Sequence, residues 1–119
     1  EKTTLVVGAS LKQDRYSNRA VLSLRSKLIK TFAFGLRAGE IGDVTVFTSF
    51  PVEEEIHTVT MYVGAARQPQ YYEDILGLMP DRVIFNPGAE NEAFAKLLEE
   101  NGIESVEACT LVMISIGNY

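Results

Sequence analysis

The chain has one cysteine, Cys109, and so no internal disulfide; nothing in it asks for an oxidising compartment. It has one histidine, His57, with no Cys or His cluster around it, which leaves nothing from which to assemble a zinc-type site. No stretch approaches the ~18 apolar residues that a membrane span requires, and the longest apolar runs are of strand length. The first strand begins almost at once with no basic-then-apolar pattern ahead of it, so no secretory leader is expected. No internal repeat and no low-complexity segment is present. Positive charge is in deficit as well, with 11 Lys and Arg against 16 Asp and Glu, a net charge of −5. Such a balance disfavours non-specific binding to nucleic acid or anionic lipid. These absences lead us to expect a cytoplasmic protein with no nucleic-acid and no membrane partner; they leave any protein partner undefined.

What is present is an ordinary globular composition, with 46% hydrophobic and 23% charged residues in 119 positions, enough for one domain with one core. Strand-like and helix-like periods alternate. Thr3 to Gly8 is a β-branched run ending in glycine, as suits a strand buried on both faces. Ser17 can cap a helix in which Ala20, Val21, Leu24 and Leu28 recur at helical spacing. A second strand, Thr31 to Phe34, again ends in glycine, at Gly35. Gly39 to Pro51 reads as an irregular connection in place of a crossover helix, with a short strand-like piece at Val44 to Phe47. A third strand follows at Thr58 to Val63 and a helix at Gln68 to Leu78, with Pro69 in its first turn. The fourth strand is Arg82 to Phe85, closed by Asn86-Pro87-Gly88. A helix over Asn91 to Asn101 is capped by Gly102, a short fifth strand covers Ile103 to Val106, and Cys109 to Ile116 makes a final helix.

This alternation predicts an α/β, Rossmann-like three-layer sandwich around a five-stranded parallel sheet of order 3-2-1-4-5, with right-handed crossovers. Ligands of such sheets sit beyond the carboxyl ends of the strands, where the strand order reverses. The predicted order puts that crevice between strands one and four.

The loop after strand one is the leading candidate. Gly8-Ala9-Ser10 runs through Lys12, Arg15 and Tyr16 into the helix at Ser17. Glycine lets a backbone approach an anion, a helix start offers free N–H groups, and Arg15 and Lys12 add charge. The three glycines of the dinucleotide fingerprint are absent, because position 10 is serine and position 13 glutamine. The end of strand two carries Gly35-Leu36-Arg37 where an NAD site would hold an acid. Arg37 there suits a phosphorylated ribose, which both NADP and coenzyme A possess, or is a surface arginine. Val63-Gly64-Ala65 leaves room for a base or a linear chain, or is a plain turn. Asn86 can bond a ligand amide, or Asn86-Pro87-Gly88 is a turn alone. Cys109 lies at a helix start, but Glu107 and the absence of a nearby histidine speak for a small buried hydrophobe rather than a nucleophile.

Val7-Gly8-Ala9-Ser10 with Arg15-Tyr16-Ser17, then Asn86-Pro87-Gly88-Ala89-Glu90, then Val106-Glu107-Ala108-Cys109-Thr110, resembles the small stand-alone bacterial CoA-binding proteins. Those are similar to the CoA-binding domain of the succinyl-CoA synthetase alpha subunit and of ADP-forming acyl-CoA synthetases. The likeness runs in order over nearly the whole chain. It implies a Rossmann-like fold that binds coenzyme A, with Gly8, Ala9 and Ser10 as the diphosphate loop and Arg15 and Ser17 in support. It further implies Gly35 and Arg37 at the adenosine end, Val63 beside the base, Asn86, Pro87 and Gly88 toward the pantetheine arm, and Cys109 at the family's cysteine position. Members usually carry a glycine before strand two, where this chain has Leu28-Ile29. The phosphohistidine-bearing domains of the synthetases have no counterpart, so their ligase chemistry does not transfer. Three functions follow: non-catalytic binding of CoA or an acyl-CoA, an NADP- or other nucleotide-dependent enzyme, and a regulatory domain that uses Cys109 for thiol exchange with CoA.

Overall fold

The computed structural model describes Glu1 to Tyr119 as one α/β sandwich about 35 × 30 × 27 Å. Its sheet has seven strands, β1 (Thr4–Val7), β2 (Thr31–Phe34), β3 (Gly39–Ile41), β4 (Val44–Phe47), β5 (Thr58–Met61), β6 (Arg82–Phe85) and β7 (Glu104–Glu107). They lie in the order β3-β4-β2-β1-β5-β6-β7, all parallel except β3, which runs antiparallel to β4. The helices are α1 (Tyr16–Ser26), α2 (Tyr72–Leu78), α3 (Glu92–Glu100) and α4 (Thr110–Ser115). None of them is long and apolar enough to cross a membrane.

Helices cover both faces of the sheet, and the alternation of side chains along β1 divides the core accordingly. Leu5 and Val7 face α2 and α3 with Val59, Met61, Phe85, Ile75 and Phe94. Val6 points the other way, into a cluster with Ala33, Val46, Val21, Leu24 and Ile114 from β2, β4, α1 and α4. β1 is fully buried because it has a strand on each side and helices on each face, which is why it reads as a continuous apolar run.

The Rossmann-like arrangement is as expected, but the five-stranded parallel sheet of order 3-2-1-4-5 is not. Val44 to Phe47 is a true strand seated directly beside β2, and Gly39–Ile41 adds an antiparallel edge strand. The chain leaves β2, passes beyond the next position as β3, turns at Gly42 (φ +59°) and comes back as β4 parallel to β2. A hairpin thereby does what a crossover helix normally does. Thr58 to Met61, expected at the sheet edge, instead pairs with β1 on the side away from β2. The order therefore reverses between β1 and β5, and that junction, not the one between the first strand and Arg82 to Phe85, is the crevice.

Helix boundaries shift for local reasons. Ser17 lies inside α1, and Arg15, extended at φ −83° and ψ 143°, is the residue at its start. The Gln68 to Leu78 region divides into a 3₁₀ turn, Pro69–Tyr71, and α2, and another 3₁₀ turn, Ala65–Arg67, precedes it. Asn91 caps α3, its Oδ1 accepting from the Phe94 amide at 3.0 Å. Leu28, at the position where a glycine was expected, takes up the left-handed conformation itself (φ +59°). The Leu28 amide donates to the Arg25 carbonyl at 2.9 Å and the Ile29 amide to the Leu24 carbonyl at 3.1 Å, so α1 closes as a Schellman turn without glycine.

Candidate functional site

A cleft of about 450 Å³ opens beyond the carboxyl ends of β1, β2 and β5. Its floor is two interlocked loops. Gly8 stands at φ +93°, and a Cβ there would meet Val63 Cγ2 at 3.0 Å. A Cβ on Gly35 would strike the Ala9 carbonyl oxygen, so the loop after β2 can lie against the loop after β1 only without a side chain at 35. The Gly8 and Ala9 amides both donate to the Phe34 carbonyl at 2.9 Å, and the Gly35 amide donates to Phe47 O at 3.0 Å.

The expected diphosphate cradle needs correction on this point. With the Gly8 and Ala9 amides held by Phe34, and the Ser10 amide donating to Ser17 Oγ at 3.1 Å, none of the three is free for an anion. Ser10 and Ser17 shape the loop instead: Asn18 Nδ2 donates to the Ser10 carbonyl at 2.9 Å and the Lys12 amide to Ser10 Oγ at 3.2 Å. The free donors lie one step on. The amides of Tyr16, Ser17 and Asn18, the first turn of α1, have no partner within the chain, as helix starts leave them.

Lys12, Arg15, Arg37 and Arg67 all line this cleft and are all exposed. None of them is in an ion pair, and no carboxylate lines the cleft. In a molecule of net charge −5, four cations converge here on one concavity. Phe34, Tyr71, Leu11 and Leu36 supply its apolar walls. Phe34 stacks on Phe50 at 4.3 Å and meets Tyr71 edge-on at 5.2 Å, so the aromatic wall is braced from behind.

Tyr62 also contributes to the lining, but its hydroxyl is buried and makes no hydrogen bond. The nearby Thr60 and Thr110 hydroxyls bond each other at 2.7 Å. Burial pushes the Tyr62 phenol up to about 12, so it remains protonated.

Of the predicted residues, Gly8, Ala9, Ser10, Arg15, Gly35, Arg37 and Val63 meet at this cleft. Tyr16 stands at the first position of α1, exposed, with the Arg19 guanidinium 5.6 Å from its ring centre. Asn86, Pro87, Gly88 and Cys109 do not line the cleft. The Asn86 side chain is fully engaged: its Nδ2 donates to Thr60 Oγ1 at 2.7 Å and Met61 O at 2.9 Å, and its Oδ1 accepts from the Thr110 amide at 2.8 Å. It ties β6 to β5 and to the start of α4, and has no group left for a ligand amide. The Gly88 amide is taken by Glu90 Oε1 at 2.9 Å. Cys109 is half-buried at the start of α4.

Sequence reasoning missed two residues. Arg67 follows β5 as Arg37 follows β2; placing β5 beside β1 is what brings it to the crevice. Gln68, fully buried, donates from Nε2 to Val63 O at 2.8 Å and Ala89 O at 2.7 Å and accepts from Asn91 Nδ2 at 2.9 Å. It fixes the loop after β5 against the loop after β6. A polar residue between an arginine and a proline carries no signal for that role.

The chain is similar over its length to several solved structures. An uncharacterized protein shares 43% identity and superposes with a TM-score of 0.95 over 99% of this chain and 98% of its own. A Thermus thermophilus protein shares the fold at 20% identity and a TM-score of 0.88, over 99% and 90% of the two chains. A hypothetical protein from Pyrococcus horikoshii does so at 21% and 0.86, over 97% and 82%. No protein of curated description matches the chain. The family model described as "CoA binding domain" matches residues 2–115, and the chain belongs to that family.

Proposed function

We propose that the cleft beyond β1, β2 and β5 binds coenzyme A or an acyl-CoA, and that the domain acts as a binding module without chemistry of its own. The observation that carries the reading is the convergence of Lys12, Arg15, Arg37 and Arg67 on a cleft without carboxylates. A diphosphate and a ribose phosphate spread several negative charges along one ligand, and paired guanidinium groups are the side chains best suited to hold them. In this reading Arg15 and the free first-turn amides of α1 take the diphosphate, and Arg37 takes the ribose phosphate. Phe34, Leu36 and Tyr71 offer apolar contact to the base. Gly8, Ala9, Ser10, Ser17 and Gly35 keep the loops in register, and Val63 closes the wall. Asn86 serves as a strut.

Thermal shift with CoA, acetyl-CoA, NADP, NAD and ATP at one concentration tests this, because the tighter a ligand binds the native state the more it stabilises it. CoA or acetyl-CoA is expected to rank first, and isothermal titration is expected to show a loss of about tenfold or more in affinity on Arg15→Ala and on Arg37→Ala, the scale of one lost charge-assisted contact. NADP ranking first would hand the cleft to the nucleotide-enzyme reading. No binding at millimolar CoA would overturn the proposal.

A further inference from the structure

A second concavity lies against the β2–β4 pair, on the face that α1 does not cover, and carries the opposite charge. α1 covers one face of this part of the sheet, through Val44, Val46 and Ile41. The other face has no helix, because the chain from β4 to β5 crosses it as a loop. A groove of about 350 Å³ results, lined by Phe32, Phe47, Phe50 and Val52 with Glu53 and Glu54. Phe47 is 52% and Val52 75% exposed, and both line one concavity. Scattered exposed hydrophobes need no explanation, but an apolar floor with a polar rim is the form of an interaction site.

The charge of that rim narrows the choice of occupant. No lysine or arginine is among the lining residues, and Glu53, Glu54 and Glu55 follow one another in the exposed loop. On the same face of the sheet, Glu40 of β3 accepts a hydrogen bond from Thr45 of β4. At its edge the groove already displays the chemistry it favours. The Lys30 ammonium lies 5.5 Å from the centre of the Phe32 ring and 3.9 Å from Glu54 Oε1, combining an aromatic face with a carboxylate. Nucleic acid and anionic lipid are repelled by this rim.

We infer that this groove docks a lysine- or arginine-bearing segment of a partner protein, with an apolar side chain on Phe47 and Val52 and a cationic one between the aromatic floor and Glu53–Glu54. The inference stands independently of the CoA reading, because the two concavities have opposite charge and share no lining residue; they meet only where Phe50 of the groove touches Phe34 and Tyr71 of the cleft.

The chain contains no tryptophan, so the probe peptide acetyl-Lys-Leu-Lys-Trp-Lys-Leu-amide reports its own binding by emission. Saturable binding to the full chain is expected. Glu53→Gln with Glu54→Gln, which keeps shape and removes charge, is expected to weaken it about tenfold. Phe47→Ser is expected to do the same through the floor. All three side chains are exposed, and unchanged urea midpoints verify that the variants fold. Absence of saturation at millimolar peptide, equal binding by the variants, or equal binding of the peptide with glutamate in place of lysine would each overturn the inference.

Discussion

Leu28 is 81% exposed and left-handed, a conformation that costs an L-residue about 1–2 kcal/mol relative to glycine. Its side chain contributes little to the core in return. Leu28→Gly relieves that strain and gives back part of the gain through the greater freedom of glycine in the unfolded chain, about 0.4–1 kcal/mol. A net stabilisation of about 0.5–1 kcal/mol is therefore expected, read as a higher urea midpoint at constant slope; an unchanged or lower midpoint would show that Leu28 packs in a way its exposure does not suggest. The same reasoning sets Gly35 apart. Its need for glycine comes from the proximity of the Ala9 carbonyl, and the sequence marks it only as the residue at which an apolar run stops. Residue types at strand ends were legible in this chain: Gly8, Arg15, Gly35, Arg37 and Val63 come together as strand-end reasoning requires. Whether a donor is already occupied was not legible, since the Phe34 carbonyl that takes the Gly8 and Ala9 amides belongs to another strand.

Between elements, Asn86 shows what a strand-end turn can conceal. One side chain joins β6, β5 and α4 through three hydrogen bonds in a buried setting. Asn86→Ala leaves the buried Thr110 amide without its partner, at about 1–3 kcal/mol for a buried group left unsatisfied, and removes the two bonds that Nδ2 donates to Thr60 Oγ1 and Met61 O, the latter keeping the backbone amide of residue 86 at 3.4 Å. A loss of about 2–4 kcal/mol in urea unfolding is expected, with CoA affinity in the folded fraction retained; a variant of native stability that no longer binds CoA would return Asn86 to the ligand. The strands that were misread failed for an equally physical reason. β4 buries Val44 and Val46 but exposes Thr45 and Phe47, because no helix lies over one of its faces. It therefore lacks the continuous apolar run that identified β1, and β3, three residues long, carries less signal still. Missing this pair moved Thr58 to Met61 to the wrong side of β1 and kept Arg67 out of view.

Across the whole molecule the two ends of the sheet have different tasks. The carboxyl end holds the cationic cleft, and the amino end holds a polar network that joins elements. There, His57 Nδ1 is 2.7 Å from Thr58 Oγ1, which also accepts from Arg82 Nε at 2.8 Å. Burial lowers the His57 pKa below its ordinary value near 6.5, with Asp81, 3.6 Å from Nε2, pulling the other way and Arg82 reinforcing the decrease. A histidine with a lowered folded-state pKa is protonated first in the unfolded chain as pH falls. Its contribution to stability is thus complete above about 6.5, is lost as pH drops from there to the folded value, and changes no further below it. Urea midpoints of the wild type are expected to fall between pH 7.5 and 5.5, and those of His57→Gln to fall less over the same interval, since glutamine keeps a hydrogen-bonding group but has no proton to take up. Other groups titrate in both proteins alike, so the difference between the two slopes isolates His57. Parallel slopes would mean that Asp81 offsets the burial of the ring, and that the amino end of the sheet is indifferent to mild acid.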